Sequence, residues 1–228
     1  MKRILPLMAV TLMATLAAQA TISTTNWDSG FANGGVVPNN NLSGWSDTRI
    51  VSAMPPGTLQ GVAVTLTLNS GWTGDLYAYL VHSSGFAVLL NQVGAPGQPF
   101  GYGAGTMNVT LANGAAWDGN SIIGNIHSYG GGNVSGYWNP DNPNLPGNGL
   151  ASFIGTSPNG SWSLFIADLS GGGVTTVNSW GLQMDIVAVP EVETWVAAAL
   201  AGAFGAFWLN RQIWKGVGGL VTIRFPSA

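Results

Sequence analysis

Several short stretches of this chain alternate apolar and polar residues with a period of two. From Leu59 to Leu68, Val62, Val64, Leu66 and Leu68 alternate with Ala63, Thr65 and Thr67, the pattern of a strand with one buried face. Leu76, Ala78 and Leu80 alternate with Tyr77 and Tyr79. Ser83-Ser84-Gly85 then reads as a turn into a return strand over Phe86 to Leu90. Met107, Val109 and Leu111 predict a further strand. Trp162, Leu164 and Ile166, then Trp180, Leu182, Met184 and Ile186, predict two more, joined by the flexible loop Ser170-Gly171-Gly172-Gly173. No segment of this body keeps a 3.6-residue period. Short strands at this spacing predict an all-β antiparallel sandwich or jelly roll. Between Asn113 and Asn159 the chain is dominated by Gly, Asn, Pro and Ser. So long a structureless loop is unusual in a compact domain, and Ile122 to Ile126 and Leu150 to Ile154 are expected to supply short strands within it.

The two ends break this pattern. Lys2 and Arg3 precede an apolar run from Ile4 to Ala17, closed by Ala18-Gln19-Ala20. This is the layout of a secretory signal peptide, residues 1–20, and predicts export. From Trp195 to Leu209 the chain is uncharged and rich in Ala, with Leu200, Phe204, Phe207 and Trp208. Fifteen helical residues reach about 22 Å, short of a roughly 30 Å hydrocarbon core. Extension to residues 195–214 brings a helix near spanning length, with Trp195, Trp208 and Trp214 near the interfaces. Arg211 and Lys215 follow the run, which places that end in the cytoplasm and the body outside.

Composition sharpens this. Only 7% of the residues are charged, against roughly 25% in an ordinary soluble domain. Between Thr21 and Pro190 seven aspartates face a single basic residue, Arg49. Nucleic acid is excluded as a partner by the six basic residues and a pI of about 5.0. With no Cys, disulfides, thiolate metal sites and cysteine nucleophiles are excluded too, and an exported fold must hold by packing alone.

Two resemblances are carried by particular residues. Val189-Pro190-Glu191-Val192-Glu193-Thr194-Trp195, the apolar run and Arg211 resemble the PEP-CTERM sorting signal, with Val192 in place of the second Pro. That resemblance implies recognition by an exosortase-type processing enzyme, in a cell that exports polysaccharide, with residues 189–215 as the sorting signal and 216–228 as a tail. Gly74-Asp75-Leu76-Tyr77-Ala78-Tyr79-Leu80, and Gly160-Ser161-Trp162-Ser163-Leu164-Phe165-Ile166-Ala167-Asp168 followed by Ser179-Trp180-Gly181-Leu182, resemble the two halves of a P domain (Homo B domain). What this implies is a galactose-binding-like jelly roll over residues 21–188, known best as the accessory domain of subtilisin-like proteases. The His often found just before the Gly-Asp-Leu step is absent.

The chemistry available is sparse. About forty residues separate Thr21 from the first clear strand, too few for a subtilisin-type domain. His82 and His127 are the two histidines and neither lies near a nucleophile signature; both are expected on the surface. The body holds no Glu, so an acid/base pair would need two Asp. Asp75 and Asp168 either join carbonyl oxygens in a calcium site, which needs hard donors, or satisfy the backbone N–H groups of adjoining turns. Trp72, Trp117, Tyr137 and Trp138 fall in loop-like sequence, where aromatic rings could stack on sugars. Trp162 and Trp180 are expected in the core. The expected function is that of a non-catalytic exported protein of the cell envelope or exopolysaccharide matrix. The alternatives are a carbohydrate- or calcium-binding module and a peptidase accessory domain.

Overall fold

The computed structural model describes residues 20–82, 85–94, 103–141, 149–188 and 199–211. They fall into two units, the body up to Ala188 and the helical residues 199–211 beyond it. The body is a β-sandwich. Its larger sheet runs β1 (Ala20–Trp27), β12 (Thr175–Ala188), β4 (Gly57–Trp72), β7 (Gly103–Leu111) and β10 (Val134–Trp138), with the two-residue β2 (Val36–Val37) also on β12. The smaller sheet runs β3 (Asn41–Val51), β11 (Gly160–Asp168), β5 (Leu76–His82) and β6 (Gly85–Asn91). The pairing is antiparallel except between β10 and β7.

Period-two alternation explains why these residues take these places. Val62, Val64, Leu66 and Leu68 of β4 are fully or nearly fully buried between the sheets, and Thr65 and Thr67 turn outward. β12 buries Trp180, Leu182, Met184 and Ile186, and β11 buries Trp162, Leu164 and Ile166. Burying a large apolar side chain stabilises by roughly 1.5–3 kcal/mol, so a one-residue slip of either strand would send that whole set into water. In this cysteine-free chain the register is therefore fixed by burial.

Several expectations are corrected. Leu59 does not begin the first strand, because β1 and β3 precede it. Their sequences, rich in Ser, Thr and Asn, bury little and carry a faint alternation. Ile122 to Ile126 and Leu150 to Ile154 are not strands. Ile126–Ser128 and Leu150–Phe153 are 3-10 turns that drop Ile126, Leu150 and Phe153 into the core. The strands within the Gly/Asn-rich region are β10 and the hairpin of β8 (Ala116–Trp117) and β9 (Asn120–Ser121). Asp118 and Gly119 both take positive φ in its two-residue loop, as a primed hairpin turn requires.

Residues 199–211 form a helix whose Leu200, Phe204, Phe207, Trp208 and Leu209 are all exposed. Among the described residues no helix is long and apolar enough to cross a membrane. The remainder of the expected span 195–214 lies outside the described residues, as do residues 1–19 of the expected signal peptide 1–20, whose last residue, Ala20, opens β1.

Candidate functional site

The β5–β11 ladder joins the two halves of the P-domain-like pattern. Asp168 stands opposite Leu76, Ala167 opposite Tyr77, and the pairing continues to Trp162 opposite His82. Asp75 closes the 3-10 turn Thr73–Asp75 just before β5, and its carbonyl accepts from the Leu169 N–H at 2.7 Å. The ladder thus brings Asp75 and Asp168 together at one end, both nearly fully buried. Burial raises the pKa of each carboxyl, and the neighbouring Asp168 charge raises that of Asp75 further. The Asp168 carboxylate accepts from the backbone N–H groups of Ser170 and Asn40, which partly offsets its desolvation. Two hard oxygen-donor groups therefore share one place. Calcium takes six to eight oxygens, and among the described residues no group of three or more His, Cys, Asp or Glu gathers around them. A cation here would draw its other ligands from carbonyls, amides or water.

At the other end of the same ladder, His82 is buried rather than on the surface as expected. Its ring stacks on Trp162 with centroids 4.1 Å apart and an 8° tilt. Nδ1 faces the carbonyl of Ser161 at 3.0 Å and Nε2 that of Ser157 at 3.2 Å. A Cβ on Gly160 would lie 2.7 Å from His82 Cε1, so the Gly-x-Trp step leaves room for this ring. A local sequence window misses this, since Trp162 and Gly160 lie eighty residues downstream. His127 is exposed as expected, with Nδ1 3.0 Å from Asp141 Oδ1. Burial pushes the Asp141 carboxyl up, while His127 and the Asn91 N–H pull it down.

The four aromatic candidates do not form one platform, and all four stand on strands rather than in loops. Trp72 ends β4 with its indole against Gly172 and Gly173. Trp117 lies over Gly61 on the outer face of the larger sheet and donates from Nε1 to Gln183 Oε1 at 2.7 Å. Tyr137 pairs with the outward Thr110 and shares that outer face. Trp138, opposite the buried Leu111, packs toward the core and donates to the Ser135 carbonyl at 2.9 Å. Pro190, Glu191 and Val192 of the expected sorting signal lie outside the described residues; Arg211 is the exposed last residue of the described helix.

Sequence reasoning did not single out the cluster at the sandwich's open side. Trp27 packs on Trp180 with centroids 4.4 Å apart. The Asp47 Oδ2 accepts from Trp180 Nε1 at 2.7 Å and from Arg49 Nε at 2.6 Å. The Arg49 guanidinium sits 5.3 Å from the Phe31 ring centre and 5.9 Å from that of Trp27. Asp47 and Arg49 are two apart on a strand and so share a face, a signal the sequence did contain. Beside this cluster opens a groove of about 500 Å³ lined by β1 and by residues 50–55.

No protein-family model and no curated protein matches this sequence. Among solved structures, the chain is distantly similar to the serine protease of Aeromonas sobria. In its complex with a chaperone the identity is 16% and the TM-score 0.45, over 75% of this chain and 28% of the protease. For the protease alone the identity is 16% and the TM-score 0.42, over 74% and 27%. The chain spans little more than a quarter of that protease's length.

Proposed function

We propose that this chain is a non-catalytic, exported accessory module of the P-domain type, a jelly-roll sandwich that binds rather than transforms, and that its Asp75–Asp168 pair takes up calcium. The supporting observation is the β5–β11 ladder. The Gly-Asp-Leu step and the Gly-x-Trp-x-Leu-x-Ile-x-Asp strand, far apart in sequence, lie in one register with their acids at the same end. Two carboxylates raised by burial, with the Asp168 charge raising Asp75 further, are relieved either by protonation or by a cation. Outside a cell, where calcium is abundant, the cation reading accounts for acids at these two positions. Delivery by the signal peptide, and sorting through Pro190, Glu191, Val192, the apolar helix and Arg211, complete the proposal. An accessory role beside a peptidase is favoured over a purely structural role in the envelope, because the motif halves are the part of the sequence most closely tied to the fold.

Calcium titration of the purified full chain, followed by thermal melting, tests this reading. Wild type is expected to gain several degrees in millimolar calcium over chelator, and Asp75→Ala to gain nothing. An unchanged melting temperature in wild type would remove the calcium reading, and casein hydrolysis by the pure chain would remove the non-catalytic one.

A further inference from the structure

A sandwich of two open sheets has four edge strands, and each edge presents unpaired backbone groups that invite another chain. Three of the four are blocked here. On β6 the Ser152 hydroxyl donates to the Phe86 carbonyl at 2.9 Å and accepts from the Phe86 N–H at 3.1 Å, and the Leu89 carbonyl accepts from the Asp141 N–H. On β10 the Tyr137 carbonyl accepts from Ile123 N–H at 2.8 Å, and Gly136 takes a positive φ. On β3 the charged Asp47 and Arg49 share the inner face with Trp45 and Val51, and the loop before it supplies the Ser29 carbonyl to Arg49 and the Ala32 carbonyl to Trp45. Inward charges, bulges and covering loops are the usual protections of an edge.

Among the described residues β1 has none of them. Its eight residues, Ala-Thr-Ile-Ser-Thr-Thr-Asn-Trp, carry no charge and no proline. Its register with β12 runs unbroken from Ala20 to Trp27, and no described strand pairs with its far side. The groove lies on that same side of the sandwich, lined by Ser23, Thr25 and Trp27 of β1 and across from them by Ile50, Met54 and Pro55. Ser23, Thr25 and Trp27 are the alternate residues of β1 that turn toward the smaller sheet. A strand added to β1 would therefore send its own alternate side chains into the groove. None of the ten residues lining it is ionisable.

We propose that the outer edge of β1, unpaired among the described residues, and the groove beside it form a strand-addition site for an extended, uncharged polypeptide segment with apolar residues at alternate positions. Backbone bonds to β1 supply the affinity, and the surface of Trp27, Met54 and Pro55 selects the side chains, the division of labour expected of strand addition. The uncharged lining disfavours charged segments, which would lose water without gaining a partner. This site is independent of the Asp75–Asp168 pair at the β5–β11 ladder.

The test uses the full chain and a fluorescein-labelled, capped heptapeptide alternating threonine with valine and leucine. A second copy of the peptide has alternate backbone amides N-methylated. Saturable anisotropy is expected with the first peptide, at least tenfold weaker binding with the second, and slowed amide exchange confined to residues 20–27. Ser23→Lys, a charge pointed into the groove, is expected to weaken binding at least tenfold. Thr25→Lys, on the same face of β1 and likewise lining the groove, does the same where Ser23→Lys fails to fold. The proposal is overturned if the unmodified peptide does not bind, if N-methylation leaves binding unchanged, or if protection falls outside β1. Cellohexaose quenching Trp fluorescence in a Trp27-dependent way, with no peptide bound, would assign the groove to sugars instead.

Discussion

At the scale of single residues, the aspartates set how stability depends on pH. Asp75, Asp168 and Asp141 all have carboxyls raised above the ordinary value of 3.8. Their folded forms bind protons more tightly than their unfolded forms. Their contribution is therefore full below that ordinary value and lost as pH rises through the raised folded values. In chelator, the melting temperature is expected to fall between pH 4 and pH 7. Asp75→Asn should flatten that slope and melt higher than wild type at pH 7, because a neutral amide escapes both burial of charge and the Asp168 field. A lower melting point for Asp75→Asn in chelator would contradict this account. The pairing of these acids was legible only as a family pattern. That both are buried, and that their fields overlap, depends on a strand register no local window contains.

At the scale of elements, the strands that alternate strongly were readable and the others were not. β4, β5, β7, β11 and β12 each bury a row of Val, Leu, Ile, Met or Trp. β1 buries no residue fully and β3 only Trp45 and Val51 along a Ser/Thr/Asn-rich run, since they are edge strands with partly solvated faces. The segment Leu150 to Ile154 reads as a strand because Leu150, Phe153 and Ile154 lie close together. Its short 3-10 turn instead points Leu150 and Phe153 inward and holds Ser152 against β6. Ser152→Ala removes two hydrogen bonds from that edge, a loss of about 1–3 kcal/mol by typical values. Urea unfolding should shift by that amount, and the Phe86 amide should exchange faster; a normal Phe86 exchange rate would show that the hydroxyl does not seal the edge.

At the scale of the whole molecule, β12 is the element on which the larger sheet depends. It pairs with β4 along one side and with β1 and β2 along the other. The first and last strands of the body are thus neighbours, and the body forms only when its ends meet, a slow topology for folding. A chain truncated after Asn178 should lose the near-ultraviolet dichroism of its buried Trp residues and unfold without cooperativity. A cooperative melt in that truncated chain would refute a central role for β12. The all-β character, the principal core strands and the sparsely charged, cysteine-free body set between two apolar ends were all legible in the amino-acid order. Those properties follow from composition and from a period-two pattern that acts over a few residues. It took the folded sheets to show which strands are edges, that His82 lies buried on Trp162, that Asp75 meets Asp168, and that no described strand covers the outer side of β1 beside a groove. Each of these joins residues far apart in the chain, and such contacts are fixed by sheet order and register rather than by local sequence.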